Sequence, residues 1–235
     1  MPLEQQYQGH RILEAMRDAP RYANAIFVDI RSRCPSRESS ILDFGAGDGV
    51  FVEKFHAENL RIDCVEPDVQ LRSALARYSN QVFEDISNVP ANAYDFVYTV
   101  NVVEHIVDLD QVLIGIRRVM KPNAVMFVFT PAFNLLWSSL DDEIGHVQRF
   151  TRTTLRGYLD RAGFQVVEMR YFDSLGFPAA LAVRLLERVG LFRYSSRSIG
   201  FYDRYLVPLS LALDRVTSGL WGKNVIAIVR NPGAP

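Results

Sequence analysis

Two stretches of the chain combine residue types and spacings that suit chemistry. In Ile41-Leu42-Asp43-Phe44-Gly45-Ala46-Gly47-Asp48-Gly49 a carboxylate is followed by glycines at alternate positions. Glycine permits positive φ and lets a backbone lie close to a ligand. The helix-forming Val50–Ala57 comes next, so its N-terminus would offer unpaired N–H groups to an anionic group. The second stretch, Thr130 to Thr151, gathers Trp137, Asp141, Asp142, His146 and Arg149 into one connection. A histidine there can take a proton near neutral pH, and an arginine can grip a carboxylate or phosphate.

Spacing narrows the ligand of the first stretch. The dinucleotide pattern G-x-G-x-x-G needs glycine at position 50 after Gly45 and Gly47, and Val50 stands there. Asp43 would repel a pyrophosphate but attract an ammonium. A ligand with an amino-acid end therefore fits better than NAD. Glu66 lies about 20 residues beyond the loop, where this topology places a carboxylate on ribose hydroxyls.

These groups need a frame, and the rest of the chain supplies one. Ser40 to Phe44 reads as a buried parallel strand, with further strands expected at Arg61–Glu66, Gln81–Glu84, Tyr94–Asn101, Ala124–Thr130, Gln165–Tyr171 and Asn224–Arg230. Helices at Val69–Tyr78, Asp108–Met120 and Thr153–Ala162 alternate with them, the second stopped by Lys121-Pro122-Asn123. Such alternation means a parallel sheet covered by helices on both faces. Gly9 to Arg33 is helix-compatible with a break at Pro20. It either caps the ligand cleft, with Tyr7 or Tyr22 near it, or simply packs. Phe172 to Gly222 interrupts the pattern with helical stretches at Ala179–Val189 and Leu206–Leu220.

At this point a resemblance is plain. Asp43-x-Gly45-x-Gly47-x-Gly49 resembles the first motif of class I S-adenosylmethionine-dependent methyltransferases. Cys64-Val65-Glu66-Pro67-Asp68 is similar to the end of that family's second strand, and Glu84-Asp85-Ile86 to its adenine-contacting site. Tyr94-Asp95-Phe96-Val97-Tyr98, leading to Val103-Glu104-His105, resembles the fourth-strand motif. Asp141 to Thr151 resembles the D…GH-x-R-x-[FY]-T loop of a small-molecule, type 11/12-like subgroup, many of whose members serve sugar, lipid or quinone pathways. Here Gln148 stands where that subgroup commonly has a second arginine.

The resemblance implies an α/β fold, a doubly wound and mostly parallel seven-stranded sheet whose last strand runs antiparallel. One domain would comprise an N-terminal helical cap (1–39), a core (40–171 and 223–231) and a helical lid or insertion (172–222) on the cofactor edge. The implied cofactor is S-adenosyl-L-methionine, held by Asp43, Gly45, Ala46, Gly47, Gly49, Glu66, Pro67, Asp85, Ile86 and Asn101. Each has a plainer reading: Asp43 as a helix cap, Glu66 as a solvated strand end, Asp85 as a turn residue. Glu104 and His105 either join the site or only shape the turn into the next helix.

Methyl transfer is an in-line displacement at a sulfonium, so placing the nucleophile does much of the work. An alcohol or phenol must also lose its proton, which makes His146 the candidate base. Arg149 is the second catalytic candidate, as a grip on an acidic group of the substrate. Alternatively His146, Asp142 and Arg149 hold the loop together. Asp141, Asp142 and His146 lack a firm metal-ligand spacing, and no metal is expected. The acceptor is expected to be a small molecule, with oxygen ahead of nitrogen as the accepting atom. In the insertion Phe177, Leu181, Leu185, Leu186 and Val189 lie beside Arg184, Glu187 and Arg188. This reads as lid packing, or as a greasy pocket or membrane-surface helix with Arg193, Arg197 and Arg204 facing an anionic group.

Composition sets the outer limits. With 235 residues, 49% hydrophobic and 23% charged, the chain is an ordinary globular protein able to form one full core. A net charge of -1 gives no general pull toward nucleic acid, which is not expected as a partner. Cys34 and Cys64 read as free thiols in a reducing cytoplasm. Met1 to Gln6 lacks a basic region or apolar run, so no signal peptide is expected, and no stretch reaches transmembrane length. Two rivals stay open, a nicotinamide-dependent oxidoreductase and a non-catalytic cofactor-binding or regulatory protein.

Overall fold

The computed structural model describes residues 17–192, 196–217 and 219–233. Tyr7 and Arg193, singled out above, lie outside them. Seven strands form one sheet: β1 (Ile41–Phe44), β2 (Asp63–Val65), β3 (Val82–Phe83), β4 (Tyr94–Val100), β5 (Met120–Pro131), β6 (Gln165–Phe172) and β7 (Asn224–Arg230). Their order is β3-β2-β1-β4-β5-β7-β6. The first five pair in parallel, whereas β7 runs antiparallel to both β5 and β6. The expected seven-stranded, mostly parallel sheet is what the chain forms.

Alternation along the strands builds two cores. Met126 and Val128 of β5 face one side with Leu42, Val97 and Ala227, while Phe127 and Phe129 face the other with Ile41, Tyr98 and Ile226. This is the two-residue period of a pleated strand buried on both faces. Helix α1 (Pro20–Arg33) and helix α2 (Val50–Ala57) cover the second side through Ile26, Ile30, Phe51 and Phe55. Helix α3 (Val69–Leu75) is capped by Asp68, whose carboxylate accepts from the N–H groups of Gln70 and Leu71. Helix α4 (Leu109–Val119) covers the first side through Leu109, Leu113 and Ile116.

One boundary differs from expectation. Lys121-Pro122-Asn123 does not separate α4 from the next strand; β5 begins at Met120, which pairs with Tyr94. A register irregularity between Tyr94 and Phe96 and a positive φ at Asn123 absorb the proline. Both cysteines are buried and free. Among the described residues no helix is long and apolar enough to cross a membrane.

Four further helices gather toward the carboxyl edge of the sheet: α5 (Ser139–Glu143), α7 (Gly176–Arg188), α8 (Ser196–Phe201) and α9 (Val207–Thr217), the last two joined by a π-helical turn at Tyr202–Leu206. Helix α6 (Arg152–Arg161) instead covers the first side through Leu155 and Leu159. The cavity side of α7 presents Gly176, Ala179, Ala180 and Val183, whereas Leu185, Leu186 and Val189 are exposed. The sequence expectation of lid packing by those three residues is thus corrected, while Phe177 packs edge-on against Phe133.

Order reverses between β1 and β4, which opens a crevice at their carboxyl ends. Gly45 turns the chain there with φ +83, and a Cβ on it would lie 2.3 Å from Val102 Cγ2. Gly45→Ala combines left-handed strain with overpacking and should cost about 2–4 kcal/mol of stability, read by urea denaturation.

Candidate active site

Two cavities meet at this edge, one of about 470 Å³ and one of about 270 Å³. Asn101 lines both. It ends β4 in the left-handed region, φ +54, which asparagine adopts more readily than most residues. Its N–H is held by the Phe129 carbonyl at 2.9 Å, while its buried Oδ1 has no hydrogen-bond partner among the described residues.

The larger cavity follows the glycine loop. Asp43, Gly45, Ala46, Gly47, Glu66, Pro67, Asp85, Ile86 and Asn101 all line it, so the sequence-expected cofactor positions converge. Gly49 is the exception. It is the N-cap of α2 with φ +83, and a Cβ there would meet Leu75 Cδ2 at 2.7 Å. It therefore supports the loop from behind.

Each acidic residue of this cleft has a defined partner. Asp43 is buried and accepts from the Tyr98 hydroxyl at 2.7 Å; it caps no helix. Burial pushes its carboxyl up to about 8, against the opposing hydrogen bond. Glu66 is buried rather than solvated, with Oε2 accepting from the Gly47 N–H at 2.7 Å and Oε1 from the Asp68 N–H at 3.0 Å. Burial raises its pKa too, and the two N–H groups oppose the rise. Asp85 does serve as a turn residue, accepting from the Ser87 N–H at 2.8 Å, yet it also lines the cleft.

The smaller cavity lies between the 131–151 connection, α7 and the π-helical turn. Leu136, Ile144, Ala179 and Val183 are among its apolar walls, and Asn101, Asp141, His146, Arg149, Lys223 and Asn224 are among its polar ones. Tyr22 is packed, as the plainer reading had it, but its hydroxyl donates to Asn224 Oδ1 at 2.6 Å beside this cavity. Tyr202, Lys223 and Asn224 were not singled out from sequence. Their signal was topological: the first residue of an antiparallel β7 must stand at the carboxyl edge of its neighbours.

Asp141 organises the connection. Its carboxylate receives Arg149 Nε at 2.7 Å and Nη2 at 3.0 Å, a two-pronged grip, and His146 Nδ1 lies 2.6 Å from Oδ1. The Ser138 N–H and hydroxyl add to Oδ2. Burial works against ionisation, but the hydrogen bonds of His146 and Arg149 prevail and hold this carboxyl well below its usual range. The loop-holding trio therefore contains Asp141 and not Asp142, which instead accepts from the Trp137 indole at 2.9 Å. The Asp141–Asp142–His146 metal set weighed from sequence is also broken up by these bonds.

Beneath His146 lies a 3₁₀ turn, Val103–His105. Glu104 is fully buried; its Oε2 accepts from the Thr130 hydroxyl at 2.9 Å, and its Oε1 lies 3.7 Å from His146 Nε2. Burial pushes the Glu104 carboxyl up to about 7 and the His105 imidazole down to about 4. Both shape the turn; His105 also lines the larger cavity, whereas Glu104 lies behind it.

Replacing Asp141 with Asn should destabilise the protein by about 3 kcal/mol or more at neutral pH, because Arg149 is left buried without its counter-charge. The wild-type carboxyl is depressed, so its contribution is complete above about pH 4 and disappears as pH falls through the lowered value. The stability gap between wild type and Asp141→Asn should accordingly close in acid, which denaturant melts at stepped pH will show.

Residues 9–169 match the family model of the methyltransferase domain. Among curated proteins, ubiquinone biosynthesis O-methyltransferases from Mesorhizobium japonicum and Caulobacter vibrioides are 27% and 26% identical over 112 residues, which is 43% of this chain. The match spans 45% and 44% of those proteins, less than half of their length. Among solved structures, a SAM-dependent methyltransferase from Archaeoglobus fulgidus is 21% identical with a TM-score of 0.57, covering 97% of both chains. Phosphoethanolamine N-methyltransferase 2 of Haemonchus contortus, solved with S-adenosyl-L-methionine, is 15% identical with a TM-score of 0.60, covering 89% of this chain and 53% of that one. With two thirds of its length matched by the family model and the fold shared, the chain belongs to the methyltransferase domain family, the class I enzymes that depend on S-adenosyl-L-methionine.

Proposed function

We propose that the chain moves the methyl group of S-adenosyl-L-methionine to an oxygen of a small molecule with an apolar body. The observation that carries this reading is the junction at Asn101 between a cleft lined by the glycine loop and an apolar cavity lined by His146 and Arg149. In the cleft, Glu66 takes the ribose hydroxyls, Asp85 and Ile86 border the adenine, and Asp43 and Asn101 face the methionine end. The acceptor oxygen attacks the methyl carbon, the carbon–sulfur bond breaks toward sulfur, and S-adenosylhomocysteine leaves as a neutral thioether. The hydroxyl proton goes to His146. Asp141 supports that role by fixing the imidazole through Nδ1, as the carboxylate of a catalytic triad does. In this reading Arg149 orients Asp141 rather than gripping the substrate.

Oxygen is preferred to nitrogen because a hydroxyl needs a base and the pocket contains one. The similarity to ubiquinone biosynthesis O-methyltransferases supports the same choice and a quinone-, lipid- or sugar-type acceptor. The buried free thiols support a cytoplasmic setting. Exposed Leu185, Val189 and Leu209 support contact with a membrane surface when the acceptor is greasy; co-sedimentation with anionic liposomes is the expected result, and its absence removes that part.

Calorimetric titration tests the core of the reading. S-adenosyl-L-methionine and S-adenosylhomocysteine should bind at micromolar concentrations, and Glu66→Ala should weaken both at least about tenfold, by loss of a charge-assisted contact. Binding of NADH alone would restore the oxidoreductase reading. Asp43 adds a pH signature. Its carboxyl, pushed up to about 8, is largely protonated at pH 7 and must ionise beside an ammonium. Binding should therefore release a proton and tighten as pH rises toward 8, which heats measured in buffers of different ionisation enthalpy will report.

A further inference from the structure

Three buried ligand atoms converge behind the Asn101 junction with nothing to bond to. Glu104, His105 and His146 each offer a ligand atom within 4.8 Å of the other two, and Glu104 Oε1, His105 Nε2 and His146 Nε2 each lack a hydrogen-bond partner among the described residues. His146 Nε2 and Glu104 Oε1 are 3.7 Å apart, beyond hydrogen-bond reach. Orphaned buried polar atoms are costly, and three facing one another need a common partner.

The other end of each ring fixes what that partner must be. His105 Nδ1 lies 3.2 Å from the Gly145 carbonyl, which can only accept, so the proton sits on Nδ1. His146 Nδ1 faces the ionised Asp141 at 2.6 Å, so its proton sits there too. Both Nε2 atoms are then bare lone pairs pointing into shared space beside a carboxylate oxygen. Lone pairs from two imidazoles and one carboxylate exclude a further acceptor and call for a donor or a cation, and three of them converging suit a cation best. The remaining Glu104 oxygen is held by the Thr130 hydroxyl. Each ligand thus has the outer hydrogen bond that metal-bound histidines and carboxylates characteristically carry.

We propose that Glu104, His105 and His146 bind a divalent first-row transition metal ion, zinc foremost, through Oε1, Nε2 and Nε2. Two imidazoles and one carboxylate form a borderline donor set suited to zinc and also to iron or manganese, and they leave a coordination position open. Ligand bonds of about 2.0–2.2 Å require the donor atoms to close to about 3.2–3.6 Å, a shift of about 1 Å for the widest pair. His105 lines the cofactor cleft and His146 the apolar cavity, so the ion would stand at the wall between methyl donor and acceptor. What it does there rests on the O-methylation reading. In the metal-free chain His146 Nε2 takes the acceptor proton as proposed above; with the ion bound that nitrogen is occupied, and a hydroxyl at the open position would instead be made acidic by the metal and lose its proton to solvent.

Metal binding is tested without turnover, so it fails or holds apart from the acceptor assignment. The full chain, freed of any histidine tag and stripped with chelator, is titrated with zinc and separately with cobalt, with bound metal counted by elemental analysis. One equivalent per chain is expected, together with cobalt ligand-field bands of low-symmetry coordination. Glu104→Gln and His105→Gln should each weaken binding at least about a hundredfold and change the bands, and Asp141→Asn about tenfold through the ring it orients. Circular dichroism and S-adenosyl-L-methionine binding identify which variants remain folded, and Glu104→Gln keeps the side chain's shape. Less than a tenth of an equivalent in wild type overturns the site. Equal affinity in folded wild type and variants also overturns it, since the ion is then adventitious.

Discussion

The direction of β7 constrains everything above the sheet. Because it runs antiparallel between β5 and β6, its first residue, Asn224, stands opposite Pro131 and Phe172, at the edge where those strands finish. The chain between β6 and β7 therefore leaves and returns on one edge, and that edge already carries the glycine loop. A lid over the site follows from topology alone. Its attachment combines the packing of Val207, Ile199 and Leu211 against the core with buried charge. Asp173, buried in the left-handed region, accepts from the Gly176 N–H, the Tyr202 and Ser210 hydroxyls and Lys223. Asp214 accepts from the Asp173 and Ser174 N–H groups, and Asp203 from the Tyr22 N–H of α1.

Buried carboxylates at this edge fall into two groups. Asp141 has Arg149 and Asp173 has Lys223, and both are held below their usual pKa despite burial. Asp43 and Glu104 have no such neighbour in contact; burial dominates and raises them to about 8 and about 7. The paired carboxylates anchor chain segments. The raised ones face the cofactor cleft and the histidine cluster, where positive charge from a ligand would restore the balance. Perturbed carboxyls without an internal counter-charge are a physical pointer to binding positions.

What sequence revealed follows from how local each cause was. Strand β7 runs over Asn224–Arg230 and helix α2 over Val50–Ala57, as their apolar patterns required. The alternate glycines located the cleft, since positive φ at adjacent turns admits few other residues. Gly49 was misplaced by one layer because spacing cannot distinguish a glycine facing a ligand from one facing Leu75. Between Asp141 and Asp142 the sequence had no ground for choice; helical geometry in α5 turned one toward Arg149 and the other toward Trp137. The meeting of Glu104 and His105 with His146 was hidden for a different reason. It depends on β4 and β5 being adjacent and on the Val147 N–H reaching the Glu104 carbonyl at 2.9 Å, contacts that no local pattern encodes.

The acceptor cavity divides its work between two anchoring systems. His146, Arg149 and Asn101 belong to connections that are tied back to the sheet: Arg149 also donates to the Ala132 carbonyl, and Asn101 to that of Phe129. Ala179, Val183 and Ile199 belong to the insertion, whose helix α7 meets the loop through Glu187 on Ser139 and Arg184 on the Leu135 carbonyl. In the proposed reading, the polar groups assigned to the reacting atom are therefore rigid with the cofactor cleft, which positioning catalysis demands. The apolar groups assigned to the body of the acceptor sit on the insertion, which joins that frame both by these polar contacts and by packing of Val207, Ile199 and Leu211 against the core. Changes in the size of residues 179, 183 and 199 would alter which molecule fits without moving His146 or Asp141. On the proposed reading, specificity and chemistry are carried by different segments of one chain, and the antiparallel last strand is what brings those segments together.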